Sequence, residues 1–156
     1  MEKATIYERT QTGTGVLMGL GAGVALVVVV LFVIMATEGM DPIALSVLIV
    51  VLGIEALLMW LLGSMTIIVT MDDIRFHMGP GVGRKIIPID DIRSHKMVNV
   101  PWYMGRGVKY TGNRTMYVIA GSHALELELR SGKVIWLGTG EPEALGDALK
   151  LAEKKK

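Results

Sequence analysis

The residues with the greatest capacity for acid–base or metal chemistry are three histidines, His77, His95 and His123, and two acidic pairs, Asp72-Asp73 and Asp90-Asp91. The histidines fall on separate expected strands, His77 on a solvent face and His123 at the start of an inward face. No ligand spacing of a known kind joins them to one another or to the carboxylates. A site built from one histidine and Asp72 or Asp90 is one reading. The other is that each Asp pair makes a turn, where Asp bonds to its own backbone. The chain has no cysteine, which excludes disulfides, thiolate catalysis and cysteine-based metal sites. Gly79-Pro80-Gly81-Val82-Gly83 is glycine-rich. It lacks the strand–loop–helix setting and the Lys-Ser/Thr of a phosphate loop, so it reads as a hairpin loop. The sequence therefore assigns no catalytic residue, cofactor or metal, and a metal-dependent enzyme is the weakest of the functional readings.

Two other constellations suit binding. Trp102, Tyr103, Arg106 and Lys109 lie in one short stretch with Gly105 and Gly107. Aromatic rings beside basic groups fit a lipid headgroup layer or a protein partner, and they also serve to cover the end of a barrel. Arg84, Lys85, Arg93 and Lys96 would add attraction to anionic lipid. The second constellation is Glu55 with Gly15, Gly19 and Gly23. The glycines recur every fourth residue, a spacing that lets another helix approach closely. Glu55 is an acidic residue in a long apolar run. A carboxyl in hydrocarbon is favoured in its neutral form, which can donate to a backbone carbonyl. Glu55 and the glycines either pack a tight hairpin or contact another membrane protein or a second copy.

The element that must position this second group spans residues 15–63. Two apolar segments, 15–36 and 42–63, each hold 13 Val, Leu, Ile and Phe residues and flank Thr37-Glu38-Gly39-Met40-Asp41. Twenty-two helical residues cover about 33 Å, enough for a hydrocarbon core of roughly 30 Å. Thirteen such residues are worth roughly −4 to −8 kcal/mol on the insertion scale, against about 3 kcal/mol for one central acid. Glu55 does not veto the second span. The first apolar run is too long for a signal peptide and no Ala-x-Ala site follows it. The pair is expected to be a transmembrane hairpin. Antiparallel partners with numbers summing to about 78 would set Gly15 level with Gly63, Gly19 with Met59 and Gly23 with Glu55. Lys3 and Arg9 precede the hairpin and the break holds no Lys or Arg. Residues 64–156 carry 14 basic against ten acidic side chains. The positive-inside rule then puts both termini in the cytoplasm and residues 37–41 outside. The net charge of the whole chain is only +1, which does not point to nucleic acid.

From Ser64 the apolar period changes to two. Strands are expected near 64–71, 74–78, 84–89, 92–100, 114–120, 123–130 and 133–138, with residues 108–111 a further extended stretch. Pro88 places its strand at an edge or a bulge, and Ser131-Gly132 is a two-residue hairpin connection. Pro142 and Glu143 suit a helix start, and Leu145, Ala148, Leu149 and Ala152 form one apolar stripe. About seven antiparallel strands and a C-terminal helix predict a small barrel or two-sheet sandwich plugged by that helix. The expected organisation is an N-terminal cytoplasmic segment over 1–14, the hairpin over 15–63 and a cytoplasmic domain over 64–156.

Four runs carry a resemblance to a family: residues 84–92 (Arg-Lys-Ile-Ile-Pro-Ile-Asp-Asp-Ile), 101–109 (Pro-Trp-Tyr-Met-Gly-Arg-Gly-Val-Lys), 125–133 (Leu-Glu-Leu-Glu-Leu-Arg-Ser-Gly-Lys) and 136–145 (Trp-Leu-Gly-Thr-Gly-Glu-Pro-Glu-Ala-Leu). Over about residues 64–152 the chain resembles the prokaryotic pleckstrin-homology-like (PH-like) domains attached to membrane helices. The resemblance implies a PH-like barrel and no particular activity. Phosphoinositide-binding members have a basic first hairpin loop. Here that loop is Asp72-Asp73, so phosphate binding does not carry over. The resulting expectation is a non-enzymatic, membrane-anchored module. Its partners would be membrane lipids through the two helices, and a protein partner or a second copy of the chain. The alternative is an accessory subunit docked on a larger membrane complex through Glu55 and the glycine face.

Overall fold

The computed structural model describes residues 4–39, 42–105 and 107–154. In chain order the elements are β1 (Thr5–Thr12), α1 (Thr14–Glu38), α2 (Pro42–Leu62), β2 (Ser64–Thr70), β3 (Asp73–Met78), β4 (Val82–Pro88), β5 (Ile92–Asn99), β6 (Gly107–Thr111), β7 (Arg114–Val118), β8 (His123–Leu129), β9 (Val134–Thr139) and α3 (Pro142–Lys154). One sheet has the order β1-β2-β3-β4 and the other β5-β8-β9-β7-β6.

Helices α1 and α2 are long and apolar enough to cross a membrane, and none of their apolar windows is buried in the β domain. A soluble core helix would be mostly enclosed. Their half-buried residues define the seam between them. Leu17, Leu20, Val24, Val27, Leu31 and Met35 on α1 and Ala44, Leu48, Val51, Glu55 and Leu58 on α2 are half-buried, whereas Val16 and Leu62 pack on the β-domain core. Spacings of three and four residues are those of a narrow antiparallel contact stripe.

The main difference from the sequence reading lies at the N-terminus. That reading assigns no strand to residues 1–14, whereas Thr5–Thr12 forms β1 and pairs antiparallel with β2, Arg9 opposite Ile67 and Gln11 opposite Met65. The hairpin is thus the connection between two neighbouring strands of one sheet. The β domain is closed from both sides of it. Gln11, 8% exposed, fastens β1 to the opposite sheet. Its Nε2 donates to the Gly138 carbonyl (3.3 Å) and its Oε1 accepts from the Gly140 N–H (2.9 Å). Arg9 adds an ion pair to Glu141 at 2.8 Å.

The two sheets enclose a core of Met65, Ile67, Val69, Ile74, Phe76, Leu125, Leu127 and Leu137, all fully buried. Complete burial of such side chains stabilises by about 1.5–3 kcal/mol each. Phe76 meets Tyr117 edge-on across the sheets, with ring centroids 4.7 Å apart. Helix α3 lays the expected stripe, Leu145, Ala148, Leu149 and Ala152, against β1 and β2 of one sheet and β5 and β8 of the other. It closes one open side of the sandwich.

Two expectations about the strands change. There are nine strands among the described residues, not about seven, because β1 and β6 both join sheets. The pairing is not wholly antiparallel, since β7 and β9 run parallel, with Met116 opposite Trp136. Strand β9 enters between β7 and β8, which are consecutive in the chain. Gly138 lets it pass: a Cβ there would stand 2.8 Å from the Val118 Cα. Burial pushes the Tyr7 hydroxyl above its usual pKa, and the nearby Glu141 charge adds to this. Tyr117 is likewise raised, first by burial, with the adjacent Lys85 opposing.

Candidate functional site

The histidines do not converge. His77 sits opposite Thr66 on the outer face of the four-stranded sheet, and it is half-buried where a solvent face was expected, its Nδ1 enclosed. His95 Nδ1 lies 3.2 Å from Glu153 on α3. His123 is exposed beside Ser122. Among the described residues no group of three or more His, Asp or Glu side chains could hold a metal. The first Asp pair has a structural task. Asp73, 6% exposed, takes a bidentate bond from Arg75 (2.7 and 3.0 Å) and meets the Thr70 hydroxyl at 3.0 Å. That hydroxyl in turn accepts from the Asp73 N–H (3.1 Å), which closes the β2–β3 turn.

Glu55 lies in the α1–α2 seam and its Oε1 is 3.7 Å from where a Gly23 Cβ would be, which agrees with the expected register. Its Oε2 is buried without a hydrogen-bond partner. Gly21 also faces α2, beside Met59. Gly15 and Gly19 are exposed on the other side of α1, and a Cβ on Gly19 would meet nothing within 4 Å. The three glycines and Glu55 therefore do not form one surface. A helix turns 100° per residue, so residues eight apart drift about 80° around it; Gly23 reaches the seam that Gly15 does not.

The hairpin joins the β domain without a linker. A single residue, Gly13, separates β1 from α1, and a single residue, Gly63, separates α2 from β2. The Gly13 N–H donates to the Gly63 carbonyl at 2.8 Å. Space at this neck is tight. A Cβ on Gly13 would stand 2.2 Å from Ile119 Cγ2 and one on Gly63 2.3 Å from the Met59 carbonyl. Gly79, in the β3–β4 turn with φ +45°, has the Trp60 and Leu61 carbonyls 2.6 Å from its Cβ position. These close approaches seat Gly79 and Ile119 at the base of the hairpin.

The aromatic stretch belongs to the same end of the domain. Strands β5 and β6 are opposite edges of the five-stranded sheet, and residues 100–105 begin the crossing between them. They do so where Asn99, His123 and Thr139 end their strands or begin them, and where Gly107 faces Val118. Met104 and Val100 hold this strap down on a second apolar cluster, Met116, Val118, Ala124 and Trp136. Trp102 borders a small cavity of about 120 Å³ with Val118, Gly121 and Ser122. Trp102 is 92% exposed and Tyr103 70%, their rings edge to face at 6.2 Å. They do not cover the end of a barrel. The Lys109 Nζ donates to the Met104 carbonyl, which ties β6 to the strap, and the residue itself stays exposed. Arg106 lies outside the described residues.

Of the four basic residues expected to attract anionic lipid, Arg84 and Lys85 are exposed on β4 and the other two are exposed on β5 beside carboxylates. Arg93 pairs with Glu128 (3.4 Å) and Lys96 with Glu126 (3.1 Å), on the outer face of the five-stranded sheet. The amine of the exposed Lys85 lies over the Tyr117 ring, 5.5 Å from its centroid. The sequence reading missed Trp60, 64% exposed two residues before α2 ends, and Val82, 42% exposed where β4 leaves the β3–β4 turn. The position of Trp60 next to the end of an apolar span was a readable signal.

The fold defines a class: two long apolar helices inserted between neighbouring strands of a two-sheet, mainly-β domain closed by a C-terminal helix. No family model, curated protein or solved structure matches the chain.

Proposed function

We propose that the chain is a non-enzymatic, membrane-anchored module of the PH-like kind, which holds its β domain at the cytoplasmic membrane face for a protein partner. The observation that carries this reading is the neck. With one residue between each helix and its strand, the domain cannot wander from the bilayer into which the hairpin inserts. The two-sheet shape with α3 across both sheets supports the PH-like assignment; the parallel β7–β9 pair is a departure from it. The acidic, internally bonded β2–β3 turn argues against phosphate recognition there. The three histidines lie apart, His95 beside Glu153 and His123 beside Ser122, which favours binding over catalysis. The absence of basic residues from the 37–41 break supports the cytoplasmic placement of the domain.

Crosslinking of full-length protein in membranes, followed by purification in mild detergent, tests this. A partner crosslinked to residues of the β domain is the expected result. A chain that remains in the aqueous fraction without detergent, or that yields no crosslinked species, overturns it. The alternative, docking on a larger membrane complex through the hairpin, now rests on the outward Gly15 and Gly19 alone, since Gly23 and Glu55 are taken up by the seam. Crosslinks confined to α1 would favour it.

A further inference from the structure

We infer that the β5–β6 strap, through Trp102 and Tyr103, together with the β3–β4 turn at Val82, docks into the lipid headgroup layer and seats the domain flush on the bilayer. The inference rests on the membrane-anchored reading above and names the ligand of one surface, the lipid interface itself. The depth argument starts from the helices. Leu62 ends an apolar span and Trp60 stands exposed two residues before it, where amphipathic rings mark the headgroup level. The β3–β4 turn is at that level, because Gly79 packs against the Trp60 and Leu61 carbonyls. The β7–β8 connection is there too, because Ile119 packs against Gly13, which bonds to Gly63. Trp102 shares a cavity wall with Val118 at the end of β7 and with Gly121 and Ser122 of that connection.

Two loops with exposed apolar side chains thus flank the base of the hairpin. The neck leaves them no freedom to retreat. A tryptophan 92% exposed to water gives up its apolar body at little cost only where it meets another surface, and the surface brought to it is the bilayer. Lys109 and Met104 hold the strap in the conformation that presents the two rings, so little ordering is left to be done on contact. The aromatic contribution is separable from an ionic one, because it persists on a zwitterionic membrane, where the exposed Arg84, Lys85, Arg93 and Lys96 meet no net charge.

The absence of native cysteine allows single spin labels in the full chain. The chain carrying Tyr103→Cys, Val82→Cys, Lys133→Cys or Val29→Cys is reconstituted in phosphatidylcholine vesicles. Collision of the label with oxygen and with a water-soluble nickel chelate is then measured. Lys133 is exposed at the end of the domain away from the hairpin, and Val29 is exposed in mid-α1. The expected result is that labels at 103 and 82 lose chelate accessibility and gain oxygen accessibility relative to 133, while 29 sees oxygen only. A label at 103 that matches 133, with 29 still in hydrocarbon, overturns the inference and leaves the anchor intact. A label at 103 shielded from both reagents would show a protein contact instead and overturns it equally. A label at 29 open to the chelate sinks the membrane-anchored reading itself.

Discussion

Replacing Gly13 by Ala tests whether the neck is as close-packed as it stands. Gly13 has φ −80° and ψ 68°, a φ open to any residue, so the substitution probes space alone. The new Cβ would be 2.2 Å from Ile119 Cγ2 and 3.3 Å from the Ile119 carbonyl oxygen. Carbon atoms in contact prefer about 3.5–4.0 Å, so the first approach must be relieved by more than 1 Å. Ile119 is 1% exposed and cannot swing outward. Overpacking of this kind costs about 1–3 kcal/mol. For a domain of 60–100 residues each kcal/mol lowers Tm by about 4–8 °C, so a fall of roughly 5–20 °C is expected. In an Ile119→Ala background the clashing methyl is gone. Ile119→Ala alone should cost about 2–5 kcal/mol, and adding Gly13→Ala to it should cost markedly less than in the parent, a coupling of about 1–2 kcal/mol. Thermal unfolding of the full-length chain in detergent, followed by near-ultraviolet circular dichroism, measures both. A Gly13→Ala protein within about 2 °C of the parent, or one equally destabilised in both backgrounds, would refute the close approach of hairpin and domain.

Four further outcomes are expected. Gln11→Ala should lower β-domain stability by about 1–3 kcal/mol in denaturant titration, because it leaves the Gly140 N–H and the Gly138 carbonyl without their partner. Glu55→Leu should raise the resistance of the hairpin to thermal unfolding by about 1–3 kcal/mol, since it removes a buried oxygen that has no hydrogen-bond partner; an unchanged or lowered value counts against the seam. Tyr7 and Tyr117 titrate above their ordinary 10.0 in the fold, so the folded state holds these protons more tightly than the unfolded chain. Stability should be undiminished below pH 10 and fall as pH rises from there through the folded values; Tyr7→Phe should flatten part of that fall, read by equilibrium unfolding against pH. A reporter fused at residue 39 should read as external, and a cytoplasmic reading would reverse the topology.

Much of the architecture follows from local periodicity. Two apolar runs of membrane length need no neighbours to be identified, because 1.5 Å of rise and the cost of bare backbone in hydrocarbon define them. Strands such as β8, where Ala124, Leu125 and Leu127 are buried beside half-buried Glu126 and Glu128, and the stripe on α3 were legible for the same reason: one face must be apolar and the period says which element carries it. The acidic β2–β3 turn was legible from Asp-Asp between two alternating runs.

Other features were decided only by the tertiary fold. Strand β1 is short of apolar residues, and its one fully enclosed position is Gln11, a polar side chain whose partners lie 127 and 129 residues away. No local signal could pair it with β2 across an intervening hairpin. The insertion of β9 between β7 and β8 depends on Gly138 passing Val118, a contact between segments 20 residues apart. The surroundings of the aromatic and basic residues were decided in the same way. Trp102 and Lys109 stand seven positions apart, one in the strap and the other on β6, and the Lys109 amine bonds to the Met104 carbonyl while the Trp102 ring is left in solvent. Composition states which groups a surface can offer; only the packed backbone determines which of them are already bonded and which side of the molecule the rest are on.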